Sequence, residues 1–225
     1  MNRTYRERIM KFLKPYWPLG LMLIFPVLGE LYHIVNKLPS KVTDLTTPID
    51  QAIPFIKYFS VPYSIWIFYI YVCIVYFFFR DRTSYYRSII MYTVCALTCY
   101  VIYLVFQTTV PRPDVIGNDP FAMLMRFIYN RDLPYNCFPS IHCFSSYLVM
   151  RLMLKSPARN RVNTTLISGM SLLIIASTLF VKQHVIWDVA GAIALVEIYY
   201  LILYTLPALI RSNSTRKQQV RGYEV

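Results

Sequence analysis

Residues 60–79 read SVPYSIWIFYIYVCIVYFFF, and Arg80-Asp81-Arg82 follows at once. The run holds no charged residue, and its length matches the roughly 20 residues a helix needs to cross a bilayer. Three ionised residues cannot sit in hydrocarbon without partners, so the stretch reads as a membrane span with a sharp boundary. Outward from it, further apolar runs recur at 17–35, 88–106, 140–156, 164–181 and 189–210. Together they predict an all-α integral membrane protein, a bundle of six transmembrane helices. Pro26 and Glu30 interrupt the first run. A carboxylate at that depth must face protein or water, so helix 1 is expected to pack inward there. Arg151 interrupts the fourth run, and its long stem suits snorkelling to the inner surface.

Between the runs the chain is polar. Residues 36–59, with Pro39, Pro48 and Pro54, read as a loop. Residues 107–139 form a long connection between helices 3 and 4, rich in Pro, Asp and Asn. It carries an apolar patch at 121–129 that is expected to lie along the membrane interface. Residues 1–16 hold Arg3, Arg6, Arg8, Lys11 and Lys14 among aromatic residues and no small-residue cleavage site. They read as a cytoplasmic amphipathic lead-in. Residues 17–210 form the membrane domain, and 211–225 a polar cytoplasmic tail.

Composition agrees with this division. Of 225 residues, 56% are hydrophobic and 16% aromatic, with mean hydropathy +0.43. An ordinary soluble domain has roughly 45–50% apolar residues. The net charge is +12, but the basic residues lie in short clusters between apolar runs. That distribution is the positive-inside pattern and argues against a nucleic-acid partner. The lead-in, residues 80–87, residues 151–161 and the tail hold sixteen of the 23 Lys and Arg. The alternate loops hold Lys37, Lys41, Lys57, Arg112, Arg126, Arg131 and Lys182. A bias of about two to one puts both termini in the cytoplasm and the other loops outside. The expected location is a bacterial plasma membrane. Of five cysteines, Cys73, Cys95 and Cys99 fall inside apolar runs, as small hydrophobes. Cys137 and Cys143 flank a candidate motif, and their spacing leaves a bond between them open.

The chemistry-bearing residues collect in the outward loops. Phe180-Val181-Lys182-Gln183-His184-Val185-Ile186-Trp187-Asp188 joins helices 5 and 6. The i, i+4 spacing puts His184 and Asp188 on one face. A carboxylate accepting from one ring nitrogen fixes the tautomer and frees the other to attack. Pro111-Arg112-Pro113 follows helix 3, and Pro139-Ser140-Ile141-His142 opens helix 4. Taken singly, His184 reads as a helix cap, Ser140 as an N-cap, His142 as a packing residue and Arg112 as a headgroup anchor. Their meeting on one membrane face favours a phosphate site. Arg112 offers a planar fork and Lys182 a point charge for the non-bridging oxygens. Ser140 and the start of helix 4 offer an anion seat. His142 suits general acid and base work, and His184 a covalent phosphoryl carrier. No metal-ligand cluster is evident in the sequence, so a metal-free, cofactor-free route is expected. His33, at the end of helix 1, reads as structural.

These three segments resemble the signature motifs of the type 2 phosphatidic acid phosphatase superfamily, the third as Ser177…His184…Asp188. The likeness covers the organisation of residues 60–210 and few individual positions. It implies His184 as nucleophile, Asp188 as its orienter, His142 as acid and base, and Arg112 and Ser140 as phosphate binders. The chain departs from the family at Val105, Ile141 and Thr178, where lysine, glycine and arginine are usual. Two cations are therefore missing, and Lys182 is the candidate replacement for one. Lost cations resemble the inositol phosphorylceramide synthase and sphingomyelin synthase branch. The expectation is a lipid phosphatase acting on phosphatidate-like, phosphatidylglycerophosphate-like or polyprenyl pyrophosphate lipids. The alternatives are a lipid head-group phosphotransferase and a catalytically silent lipid-binding protein. The expected partners are the lipid phosphate and membrane lipids.

Overall fold

The computed structural model describes Met10, residues 13–36 and residues 41–210. Most of the expected lead-in and the whole tail at 211–225 lie outside the described residues. Among the described residues, eight helices follow one another. Helix α1, Lys14–Val35, starts in 3-10 turns over Lys14–Leu23 and continues as α-helix. Pro18, which lacks an N–H and crowds the preceding turn, falls inside the 3-10 part. Then come α2, Pro48–Ala52; α3, Lys57–Arg80; α4, Arg82–Val105; and α5, Pro120–Arg131. Helices α6, Ile141–Lys155, α7, Arg161–Phe180, and α8, Ile186–Ile210, complete the chain.

The boundaries follow from capping. Asp81 accepts from the N–H groups of Thr83 and Ser84 at the start of α4. Asp119 does the same for α5 from Phe121 and Ala122. Asn160 and Asn163 form a reciprocal cap on α7. Side-chain acceptors at these positions satisfy donors that have no partner inside the helix.

Among the described residues, five helices are long and apolar enough to cross a membrane: α1, α3, α4, α7 and α8. The fourth expected span forms as a helix, α6, but it is only 15 residues long. At 1.5 Å per residue it covers about 22 Å, short of a hydrocarbon core of about 30 Å. It instead occupies the middle of the bundle, packed against α3, α4, α7 and α8. Phe144, Leu148, Val149, Leu152 and Met153 are buried there beside Phe77, Met91 and Val196.

Two charged residues differ from expectation. Arg151 does not snorkel freely. Its Nε donates to Glu197 Oε1 at 2.7 Å, and its guanidinium lies 4.3 Å from the Tyr200 ring centre. Pairing with Glu197 on α8 gives the ion a half-exposed partner that its sequence neighbours could not reveal. Glu30 is exposed, not packed inward. Helix α1 buries Phe25, Leu28 and Val35, and Glu30 lies roughly 200° around the helix from Leu28.

The connections at one end of the bundle are stitched together. Strand β1, Thr43–Asp44, pairs in parallel with β2, Thr108–Thr109, the only strand pair among the described residues. Asn136 Nδ2 donates to Asn36 Oδ1, and Gln107 Nε2 to Asn136 Oδ1, each at 3.0 Å. The Ile56 N–H donates to the Phe180 carbonyl at 2.9 Å. Helix α5, the expected interfacial patch, is amphipathic. It buries Ala122, Met125 and Ile128 and exposes Met123 and Phe127. All five cysteines are free and buried, so Cys137 and Cys143 are not bonded to each other.

Candidate active site

The turn from α7 to α8 presents His184. The N–H groups of Gln183 and His184 both donate to the Thr178 carbonyl, at 3.0 and 3.2 Å. Lys182 takes a left-handed conformation, φ 53°, which reverses the chain. Asp188 sits in the first turn of α8 and is fully buried. Its Oδ2 accepts from the Val185 N–H at 3.0 Å and meets His184 Nδ1 at 3.1 Å. One carboxylate oxygen thus caps the helix and orients the imidazole. With the Nδ1 proton held by Asp188, Nε2 keeps its lone pair. The other oxygen, Oδ1, is buried without a hydrogen-bond partner.

His142 comes from the first turn of α6. Its ring stacks on Tyr63, with centroids 4.4 Å apart, and lies 4.1 Å from the Trp66 ring. The His142 and His184 ring centroids are 5.7 Å apart. The corner before His142 is fixed from three sides. Ser140 Oγ accepts from the Cys143 N–H at 3.2 Å, and the Ser140 N–H donates to the Asp188 carbonyl at 3.2 Å. Tyr103 donates to the Pro139 carbonyl. The Phe138 ring lies over Gly191, where an added Cβ would come within 2.4 Å of it. Ser140 is buried as an N-cap and is not among the residues lining either cavity described below.

Arg112 reaches the same end. Its guanidinium donates to the Tyr129 carbonyl at 3.1 Å and to Gln183 Oε1, and lies 4.6 Å from the Tyr129 ring centre. Arg112 Nε and Gln183 Nε2 are both buried without partners. Lys182 is engaged differently. Its Nζ donates to the Asp50 carbonyl at 2.7 Å and to the Ile53 carbonyl. Burial lowers its pKa from the usual lysine value, against the opposing pull of Asp50.

Two cavities meet at His184. The first, about 460 Å³, is walled largely by aromatic rings and also holds His142, Gln183 and Asp132. The second, about 590 Å³, is lined by Arg112, Lys182, Asp44, Asp50 and Val185. His184 lines both. Its side chain is only 8% exposed, and both spaces open onto it.

The sequence reading missed several participants. Asp50 Oδ1 accepts from the Ile186 N–H at 2.8 Å, which anchors the loop before α3 to the start of α8. Burial pushes its pKa up, but bonds from Thr47 and Ile186 outweigh this, and the carboxyl sits below its usual value. The Thr47–Asp50 cap was visible as a local pattern, whereas the contact to residue 186 was not. Cys137 was also missed as a site residue. Its Sγ lies with one ligand atom each of His184 and Asp188, all within 4.8 Å of one another. A thiol, an imidazole and a carboxylate are zinc-type donors once the thiol is deprotonated, but burial pushes the Cys137 pKa up and opposes that.

Among the described residues, the fold and site define a largely helical chain with five membrane-length apolar helices and two neighbouring imidazoles at one end. Against protein-family models, curated proteins and solved structures, the chain has no match.

Proposed function

We propose that the chain is an integral membrane enzyme that cleaves lipid phosphates through a phosphohistidine, in the manner of the type 2 phosphatidic acid phosphatases. The observation that carries this reading is the paired imidazoles. His184, oriented by Asp188, lies 5.7 Å from His142, ring centre to ring centre, at the junction of an aromatic cavity and one lined by Arg112, Lys182 and two carboxylates. A lipid phosphate fits with its chains toward the aromatic side and its oxygens toward Arg112. His184 Nε2 attacks phosphorus, the P–O bond to the lipid breaks, and His142, whose protonation burial disfavours and a bound phosphate's negative charge favours, donates a proton to the leaving alkoxide. Water, deprotonated by His142, then attacks phosphorus, and the N–P bond breaks. Arg112, whose Nε is unpartnered, steadies the charge on the phosphoryl oxygens. Asp188 compensates the imidazolium character of His184. In this reading α6 is the sixth crossing, shielded from lipid by its neighbours, and the site faces outward from a bacterial plasma membrane.

A head-group transferase is the second reading. The aromatic lining of the first cavity favours it, because an apolar space of that size admits a lipid hydroxyl as acceptor in place of water. Purified protein, incubated with a panel of lipid phosphates, distinguishes the outcomes. Release of inorganic phosphate supports hydrolysis, and a new lipid headgroup without release supports transfer. An acid-labile phosphoenzyme is expected in wild type and not in His184→Ala, whose rate should fall by roughly three orders of magnitude or more. A variant rate equal to wild type, or no turnover of any lipid, defeats the enzymatic reading in favour of a lipid-binding protein.

A further inference from the structure

Gln183 stands immediately before the proposed nucleophile, yet the phosphoryl-transfer reading gives it no task. Its N–H donates to the Thr178 carbonyl at 3.0 Å, which fixes its backbone as α7 ends. The residue is only 2% exposed. Its side-chain amide is satisfied on one half alone. Oε1 accepts from the Arg112 guanidinium, while Nε2, which carries two N–H groups, is buried without a hydrogen-bond partner among the described residues. Arg112 decides which way the amide points. A guanidinium only donates, so turning the amide over would set one donor against another. Arg112 is itself held by the Tyr129 carbonyl, and the Tyr129 hydroxyl donates to the Val181 carbonyl at 2.7 Å, in the same turn as Gln183.

A buried donor without an acceptor is costly, and a ligand that offers acceptor oxygens relieves that cost. Arg112 Nε is left in the same condition. The two orphaned donors belong to side chains bonded to each other. Gln183 lines the aromatic cavity, Arg112 the second one and His184 both, so the bonded pair spans the place where the two spaces meet. Other donors for a phosphate are few there. Val105 and Thr178 bring no charge, and the Lys182 ammonium is held by two backbone carbonyls. We propose that Gln183 Nε2 is a phosphate-binding donor, which with Arg112 Nε grips the non-bridging oxygens while His184 attacks. This rests on the phosphoryl-transfer reading and gives it a further substrate contact. Gln183 exchanges no proton and forms no covalent bond. Its amide dipole is aimed before the reaction starts, and its donation strengthens as negative charge gathers on those oxygens.

Binding can be measured apart from turnover. The His184→Ala protein, in a non-ionic detergent, would be titrated with dodecyl phosphate and with dodecanol. Adding Gln183→Met, which keeps the length of the side chain, should weaken dodecyl phosphate binding roughly tenfold and leave dodecanol binding unchanged. Gln183→Glu keeps an acceptor for Arg112 and loses the donor, so it should weaken dodecyl phosphate binding at least as much. A Gln183→Glu protein that binds dodecyl phosphate as tightly as its parent would overturn the proposal. An effect exerted only by holding Arg112 is tested in an Arg112→Ala background. Gln183→Met is expected to weaken dodecyl phosphate binding there too, and the absence of a further loss would overturn direct contact. With His184 restored, Gln183→Met should form the phosphoenzyme roughly a hundredfold more slowly. Gln183-dependent binding without any phosphoenzyme defeats the catalytic reading alone. A phosphoenzyme formed at the wild-type rate by Gln183→Met defeats the Gln183 contact alone. Failure of every protein to bind dodecyl phosphate defeats both.

Discussion

Asp188 links the local fold to the proposed chemistry, because one oxygen serves both the Val185 N–H and the His184 ring. Asp188→Asn keeps an acceptor for one of these groups and removes the charge that favours an imidazolium. It is expected to lower kcat far more than it raises KM, measured on whichever lipid phosphate the wild type turns over. Arg112 and Lys182 should separate in the same assay. Arg112 carries an unpartnered Nε beside the site, so Arg112→Lys, which lacks the fork, should weaken phosphate affinity by about 2 kcal/mol. Lys182 is held by the carbonyls of Asp50 and Ile53. Lys182→Ala is therefore expected to lower the melting temperature with little change in KM. A raised KM at unchanged stability would give Lys182 the phosphate-binding role its place in the sequence implied.

Helix ends position these side chains, and two of them invite direct tests. Gly191 lets α8 approach the Phe138 ring, and a Cβ at that position would overlap it. Gly191→Ala should push away Phe138 and with it the corner that carries Ser140 and His142. Activity is expected to fall while Leu→Ala-like losses of core packing are absent, since no buried apolar group is removed. At the opposite end, Asp81 caps α4 and accepts from Ser156 at the end of α6 at 2.7 Å. Burial pushes its pKa up, but the bonds from Ser84, Ser156 and Thr83 more than offset this and hold it below the usual value. A depressed carboxyl pKa stabilises the fold fully above the unfolded value of about 3.9 and loses that effect as pH falls through the folded one. Asp81→Ala should cost about 2 kcal/mol at neutral pH. The gap from wild type in thermal melts should close below about pH 4.

At the centre of the bundle is α6, the short helix packed against α3, α4, α7 and α8. Its one charged interruption is matched by Glu197, and Tyr147 also donates to that carboxylate at 2.8 Å. Arg151→Met leaves Glu197 without its cation, whereas Arg151→Met with Glu197→Leu removes both charges. The single variant should therefore be the less stable of the two. Orientation is open to a labelling experiment, because all five native cysteines are buried. Asn118→Cys, on the exposed connection before α5, is expected to react with a membrane-impermeant thiol probe added to intact cells. Tags at either terminus should stay protected from external protease. The reverse pattern would place the imidazole pair toward the cytoplasm.

The long apolar runs could be read directly from the chain, because bilayer-length segments free of charge have few other uses. The pairing of His184 with Asp188 was expected from helical i, i+4 spacing, but His184 precedes α8, and the Asp188 carboxylate reaching back to the Val185 N–H is what brings them together. The same rule failed at Glu30, where the apolar stripe of α1 turned the other way, and at Arg151, whose partner is 46 residues distant. Asp50, Cys137 and Asp132 gave no usable signal, since each reaches the site through a contact with a remote segment. Ser140 and Lys182 kept their places in the sequence pattern, yet their polar atoms are satisfied by backbone groups. Periodicity and charge report what a segment does with its own neighbours. Which imidazole neighbours which, which cation keeps a free N–H, and which carboxylate oxygen is left unpaired are set by packing between segments far apart in the chain.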